Sequence, residues 1–133
     1  MVLESYILVD STQKNSGGAT NSYTFTLNKV LKGVYHVELL SAAYAALTSC
    51  THVVLDILEF RSPTNANGYF GIINNLVTVN SNVSYTSKSF YPLRTYFDNP
   101  FDVGKLTVYW RDTTGSLISM NDHSFLLKIN HIK

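Results

Sequence analysis

Residues 105–111 read KLTVYWR, and in this stretch apolar side chains alternate with polar ones or with tyrosine. Successive side chains of a β-strand point to opposite faces, so Leu106, Val108 and Trp110 share one face. We interpret the stretch as a half-buried strand with Trp110 in the core and Tyr109 on the opposite face. A chain built from such segments is predicted to be all-β.

The same alternation returns in residues 22–28, SYTFTLN, and in residues 124–130, SFLLKIN. Other segments, 6–9, 34–40 and 53–60, are apolar on both faces. They are predicted to be central strands, or strands with one face in the core and the other in an interface. The side chains predicted to face the core in the two alternating stretches are Tyr23, Phe25, Leu27, Phe125, Leu127 and Ile129.

Turn-forming residues separate these segments at 16–18, 32–33, 67–68, 99–100 and 112–115. Glycine, asparagine and proline favour turns because of their backbone preferences. The last of these turns lies between an alternating run and the short apolar pair Leu117 and Ile118, which predicts a tight hairpin.

The fold class follows from the number of strands. Residues 69–73 and 76–79 are shorter candidate strands, and residues 83–97 fit either a strand or a loop. The alanine-rich stretch 41–47 is the one for which a helix is an alternative. Seven to nine strands of similar length bury their inward faces most simply in a two-sheet β-sandwich. Immunoglobulin-like and jelly-roll topologies both fit this pattern. We predict a single domain over residues 1–133.

The composition restricts the partners. Of 133 residues, 45% are hydrophobic and 14% are charged, against roughly a quarter charged in an average protein. Ten basic and nine acidic residues are scattered, with a net charge of +1, so we predict no nucleic-acid binding. Nine tyrosines, seven phenylalanines and one tryptophan indicate a core plus a subunit interface. The alternative is a platform that stacks sugars or bases.

Cysteine usage and hydropathy bear on the compartment. Cys50 is the single cysteine, which excludes an intrachain disulfide and fits a reducing compartment. The first residues lack the pattern of a signal peptide, and no apolar run reaches the ~20 residues that span a bilayer. Residues 82–84 match a glycosylation acceptor, which matters only on a secretory route.

Catalytic patterns are missing from the sequence. There is no G-x-S-x-G nucleophile elbow, and the Gly17-Gly18 pair is not followed by a helix signal. Glu38, Asp56 and Glu59 lie on predicted strands, where we expect them to face solvent or to pair with basic side chains. We therefore predict a protein that is not an enzyme and has no catalytic residue, cofactor or metal. The histidines, which lack metal-binding spacing, are His36, His52, His123 and His131.

Three stretches carry a resemblance to a known family. The first is YILVDSTQKN at 6–15 followed by NSYTFTL at 21–27, and the second is VYHVELLSA at 34–42. The third is GKLTVYWRD at 104–112 followed by DHSFLLKI at 122–129. In order and spacing these resemble the single jelly-roll capsid proteins of large icosahedral DNA viruses and virophages, especially their penton or penton-like subunits. Lys14 stands where many relatives have arginine, and residues 61–100 match no part of the family pattern.

The resemblance implies a single jelly roll of about eight antiparallel strands in two sheets. It also implies a homopentamer at the fivefold vertices, which contacts neighbouring major capsid protein capsomers and minor capsid proteins. The protein would be a virion component assembled inside the infected host cell. A minor capsid or cement protein away from the vertex is an alternative reading.

The candidate site residues are aromatic. We predict that Tyr109, Tyr85, Tyr91 and Tyr96 lie in the subunit interface, with Tyr109 the first choice. A carbohydrate-binding β-sandwich would instead use a cluster of Tyr85, Tyr91 and Tyr96 to hold a glycan.

Overall fold

The computed structural model describes residues 2–45, 52–61, 70–74, 82–86 and 93–132, with side chains except those of 71–74, 82–86 and 93. Within these ranges the protein is all-β, as predicted, and no helix is long and apolar enough to cross a bilayer. Two 3-10 turns, Ser11–Gln13 and Leu58–Phe60, follow strands β1 and β3. The strands are β1 (Leu3–Asp10), β2 (Ser22–Ala45), β3 (His52–Ile57), β4 (Gly71–Asn74), β5 (Asn82–Thr86), β6 (Leu93–Arg111) and β7 (Ser124–His131).

The strands form one antiparallel sheet. The hydrogen-bonded order is β1-β7-β2-β6-β3-β4, and β5 pairs with β2 beside the start of β6. Strand β2 is long enough to have different neighbours along its length. Its beginning pairs with the end of β6, and its end lies between β7 and β5.

The sheet folds over on itself at the middle of β2. A straight strand from Tyr23 to Tyr44 would span about 70 Å at the usual rise per residue. The ring of Tyr44 nevertheless lies 5.6 Å from that of Trp110, whose backbone N–H donates to the carbonyl of Asn21, the residue before β2. The bend coincides with three register shifts between Thr26 and His36. Irregular pairing of this kind bends and twists a strand.

Gly33 lies within this bend and has a positive φ of 62°. A side chain there would be strained, and its Cβ would lie 3.1 Å from Ile132. The turn predicted at 32–33 is therefore a bend inside β2 and does not separate two strands. The predicted break at 99–100 is likewise wrong, because β6 runs through it opposite the same irregular part of β2.

Within the described residues the folded sheet encloses a hydrophobic core that includes Trp110. Trp110 is fully buried, as predicted, and its ring contacts Tyr44, His123 and Phe125. The side chains of the alternating stretches that were predicted to face the core do so. The side chains packed in or against the core from those stretches are Tyr23, Phe25, Leu27, Leu106, Val108, Phe125, Leu127 and Ile129.

The predicted hairpin at 112–115 is confirmed. Gly115 adopts φ 93°, its N–H donates to the carbonyl of Asp112, and Arg111 forms a bridge with Leu117. The carboxylate of Asp112 also accepts from the N–H groups of Thr114 and Ser116. Asp112 therefore holds the turn with its side chain as well as its backbone.

The apolar segments have different positions in the sheet. Residues 34–40 form a central strand between β7 and β6, as predicted. Strand β3 is buried on both faces from Val53 to Ile57, but it ends there, and Leu58–Phe60 turn into a 3-10 helix. Residues 6–9 belong to β1, which among the described residues pairs with β7 alone. Their reading as a central strand is wrong. Of the alanine-rich stretch, 41–45 is strand, and 46–47 lie outside the described residues.

Candidate functional site

A polar groove runs over the outer face of β2 and β6, where Tyr109 is located. Thr24 lies opposite Thr107, and Ser22 lies opposite Tyr109. The groove has a volume of about 530 Å³, and the loop at residues 15–18 forms one wall. We call it the hydroxyl groove; its lining includes Asn15, Ser16, Ser22, Thr24, Thr26, Lys105, Thr107 and Tyr109.

Hydrogen bonds fix both sides of the hydroxyl groove. The Asn15 side-chain amide donates to the hydroxyl of Thr26 at 2.8 Å, and the Asn15 N–H donates to the carbonyl of Thr24. On the other side the Glu59 carboxylate accepts from the N–H and the hydroxyl of Thr107, at 2.6 and 2.8 Å. The loop and the Leu58–Phe60 turn therefore hold this face in place.

A buried ion-pair cluster lies beside Tyr109 on β3. Asp56 is fully buried, and its carboxylate accepts two hydrogen bonds from Arg61 and one from Arg111 at 2.7–3.0 Å. Burial raises the pKa of Asp56, but the hydrogen bonds and charges of both arginines outweigh it and hold that pKa below its usual value. The Arg111 guanidinium also lies 4.9 Å from the centre of the Tyr109 ring, within cation–π range.

His123 is another buried polar residue with a defined hydrogen-bond arrangement. Trp110 can only donate from Nε1, which lies 2.9 Å from His123 Nε2, so this nitrogen is the acceptor. The proton therefore resides on Nδ1, which donates to the carbonyl of Asn121 at 3.0 Å. The Tyr23 hydroxyl lies 2.7 Å from the same Nε2. Burial lowers the pKa of His123, which favours the neutral form of the ring over the charged form.

Ser11 connects this histidine to β1. The Ser11 hydroxyl accepts from the N–H of His123 and donates to the carboxylate of Asp122. The Ser11 N–H donates to the His123 carbonyl. Each ring nitrogen of His123 thus has a structural partner, and the arrangement stabilises the junction of β1, β6 and β7. It does not present a base to solvent.

The other histidines do not converge on one point. His36 lies under the ring of Tyr96, with ring centres 4.1 Å apart, and its Nδ1 is 2.9 Å from Asn130 Oδ1. His131 is buried and contacts the hydroxyl of Ser5, and His52 begins β3. Across the described ranges no three His, Cys, Asp or Glu side chains lie close enough to hold a metal ion.

The two predicted interface tyrosines whose side chains the structure describes, Tyr109 and Tyr96, lie on different parts of β6. Tyr109 is half-buried in the hydroxyl groove, whereas Tyr96 lies on the first part of β6 with 67% of its surface exposed. The backbone of Tyr85, in β5, pairs with that of Ala42, in β2. Tyr91 lies outside the described residues. A glycan cluster of Tyr85, Tyr91 and Tyr96 remains a prediction.

The carboxylates have distinct roles. Asp56 pairs with basic side chains, as predicted, and it is buried, so the alternative that it faces solvent is wrong. Glu59 accepts hydrogen bonds from Thr107, and half-buried Glu38 lies opposite Lys128 and Arg94. The sequence could not reveal the convergence on Asp56, because Arg111 is 55 residues away. Arg61 is five residues after Asp56, and this short spacing was the available sequence signal for their ion pair.

No protein-family model matches the sequence, and no curated protein matches it.

Proposed function

We propose that this chain is a structural capsid protein built as a single jelly roll. In this proposal five copies form the penton at each fivefold vertex of an icosahedral DNA virus. The protein acts through its shape and interfaces and has no catalytic role. The partners are further copies of the chain, major capsid protein capsomers and minor capsid proteins, in a virion assembled inside the infected cell.

The observation that carries the proposal is the nested order of strand pairing. We count separately the first part (22–31) and second part (34–45) of β2, and the first part (93–97) and second part (101–111) of β6. Strand β1 pairs with β7, and the first part of β2 pairs with the second part of β6. The second part of β2 pairs with β5 and the first part of β6, and β3 pairs with β4.

This pattern pairs the outermost strands with each other and the innermost with each other. Rolling such a long hairpin into two layers produces a jelly roll. The pairing supports two rows of four. One contains β1, β7, the second part of β2, and β5 with the first part of β6. The other contains the first part of β2, the second part of β6, β3 and β4.

Exposed apolar side chains support a role in assembly. Tyr6 and Leu8 on β1 are 58% and 60% exposed, and Tyr96 is exposed on β6. Contiguous exposed apolar groups are typical of surfaces that a partner covers, and Tyr6 and Leu8 are neighbours on one face of β1. They fit a vertex subunit, and they also fit a minor capsid or cement protein elsewhere in the shell.

The hydroxyl groove favours a second candidate, a carbohydrate-binding module. Tyr109 offers a ring for the apolar face of a sugar, and Thr24, Thr107 and Asn15 surround it with polar groups. A glycan array with the purified chain tests this function. Specific binding that Tyr109→Ala abolishes would favour it, and silence on the array would leave the capsid role as the better explanation.

The capsid role is tested by measuring the protein composition of purified virus particles. Quantitative mass spectrometry of purified particles should find this chain in fixed proportion to the major capsid protein, after washing with salt and mild detergent. A chain that washes away, or is missing from particles although it is present in infected cells, would refute the capsid role.

A further inference from the structure

The row that contains β1, β7, the second part of β2 and the first part of β6 ends in two different edges. At one end is β1, with Glu4, Tyr6 and Leu8 all exposed on the outer face; we call this the acidic edge. At the other end are β5 and the first part of β6. Arg94 and Tyr96 of β6 are exposed there, and we call this the basic edge. Within the described ranges, neither edge pairs with a further strand.

Charges of alternating sign connect these edges across the outer face. The Lys128 ammonium lies 3.4 Å from the Glu4 carboxylate. On the next strand Glu38 lies opposite Lys128, and on the far side of Glu38 lies Arg94. From edge to edge the order is therefore acid, base, acid, base. These four charges cancel, and the series ends in a carboxylate on one side and in a guanidinium on the other.

An aromatic ring accompanies the terminal charge at each edge. The Tyr6 hydroxyl donates to the Glu4 carboxylate at 3.1 Å, which holds the two side chains together. Tyr96 lies over the ring of His36 and remains 67% exposed beside Arg94. An acid with a tyrosine at one edge and a base with a tyrosine at the other make the edges complementary.

Strand direction adds a second form of complementarity. Neighbouring strands in this row are antiparallel, so β1 and the first part of β6 run in opposite directions. When a second copy is placed beside the first in the same orientation, its β1 runs antiparallel to that β6. The contact therefore continues both the alternation of strand direction and the alternation of charge. Unpaired strand edges are also the places where another chain adds most readily.

From these features we propose that copies of this chain bind one another edge to edge, the acidic edge of one copy against the basic edge of the next. The two surfaces differ, so the contact is head-to-tail, and such contacts close into a ring when the rotation between copies allows it. The occupant of each edge is a second copy. The role of this contact in closing the vertex ring rests on the proposed function. The contact itself does not.

The test is a charge swap measured by sedimentation equilibrium from micromolar to about millimolar concentration. The natural chain should self-associate, and the association should weaken as salt rises from 0.05 to 0.5 M because the pairs are exposed. Glu4→Arg and Arg94→Glu should each weaken it roughly tenfold or more by placing like charges together. The double variant E4R/R94E should recover most of the affinity.

Lys105→Glu is the matched control, since Lys105 is an exposed base on the second part of β6, away from both edges. It should leave the association unchanged. Thermal unfolding of every variant checks that the fold is intact, and Tyr96→Ala gives a charge-neutral disruption of the basic edge. A natural chain that stays monomeric at all concentrations would overturn the proposal, and so would a double variant as weak as the single ones.

The outcomes separate this contact from the proposed function. If the chain is found at the vertices but the charge-swap variants self-associate as tightly as the natural chain, the edge contact is refuted and the capsid role is left intact. Charge-dependent association by a chain that is missing from particles establishes the contact and refutes the capsid role.

Discussion

Replacing Asp56 with alanine tests the central electrostatic feature of the fold. The Asp56 carboxylate is fully buried and accepts three hydrogen bonds from two guanidinium groups. Removing one partner of a buried ion pair costs about 3–5 kcal/mol, because the remaining charge is left uncompensated. The Arg61 side chain is 42% exposed and stays partly hydrated, so we expect the lower end, about 3 kcal/mol.

Lys32→Ala is the matched control for Asp56→Ala. Lys32 pairs with Asp102 at 3.3 Å, and both side chains are more than half exposed. Breaking an exposed pair costs about 1 kcal/mol or less. The assay is urea unfolding at pH 7 followed by the fluorescence of Trp110, the single tryptophan. Equal losses of unfolding free energy in the two variants would refute the importance given to burial.

The pH dependence provides a second measurement on the same pair of proteins. Because the pKa of Asp56 lies below 3.8 in the folded chain, its contribution is present above about pH 4. That contribution is lost as the pH falls through the folded pKa. The difference in stability between the natural chain and Asp56→Ala should therefore shrink in strong acid. A difference that grows as the pH falls would contradict the assigned direction.

Three further predictions concern His123, Trp110 and two glycines. Burial lowers the pKa of His123 from 6.5, so the unfolding free energy should fall as the pH drops below about 6.5. In urea titrations His123→Gln should flatten this dependence on pH. An unchanged dependence would contradict the assigned burial effect. Trp110→Ala should cost about 3–5 kcal/mol in urea unfolding followed by circular dichroism, because the variant has no tryptophan, and a loss under about 1 kcal/mol would exclude a core position. Gly33→Ala should lower the melting temperature more than Gly17→Ala, because both have positive φ but only Gly33 would bring a Cβ to within 3.1 Å of Ile132; equal shifts would contradict this.

The alternating strands were predictable from sequence because their burial depends on residues two apart. Trp110, Leu127 and Tyr23 lie in the core, as period-two patterning requires. That β2 bends at 32–33, and that β6 continues through 99–100, was not predictable. Gly33 and Pro100 indicate turns, but whether a chain turns back or bends within a strand depends on what the neighbouring strand does.

The candidate site was only partly accessible from sequence. Tyr109 was correctly placed on the face opposite Trp110, but the loop at 15–18 that makes a groove beside it is more than 90 residues earlier in the chain. The ion pairs of Asp56 and the hydrogen bonds of His123 join residues that the fold alone brings together. Sequence identifies which side chains are polar and lie on a strand, but not which of them meet.

The most direct test of the proposed role is a cryo-electron microscopy map of the purified virus particle at side-chain resolution. The proposal predicts five copies of this chain around each fivefold axis, with two four-stranded layers in each copy. Density for the chain at any other position in the shell would contradict the penton assignment, and its absence from the shell would contradict the capsid role altogether.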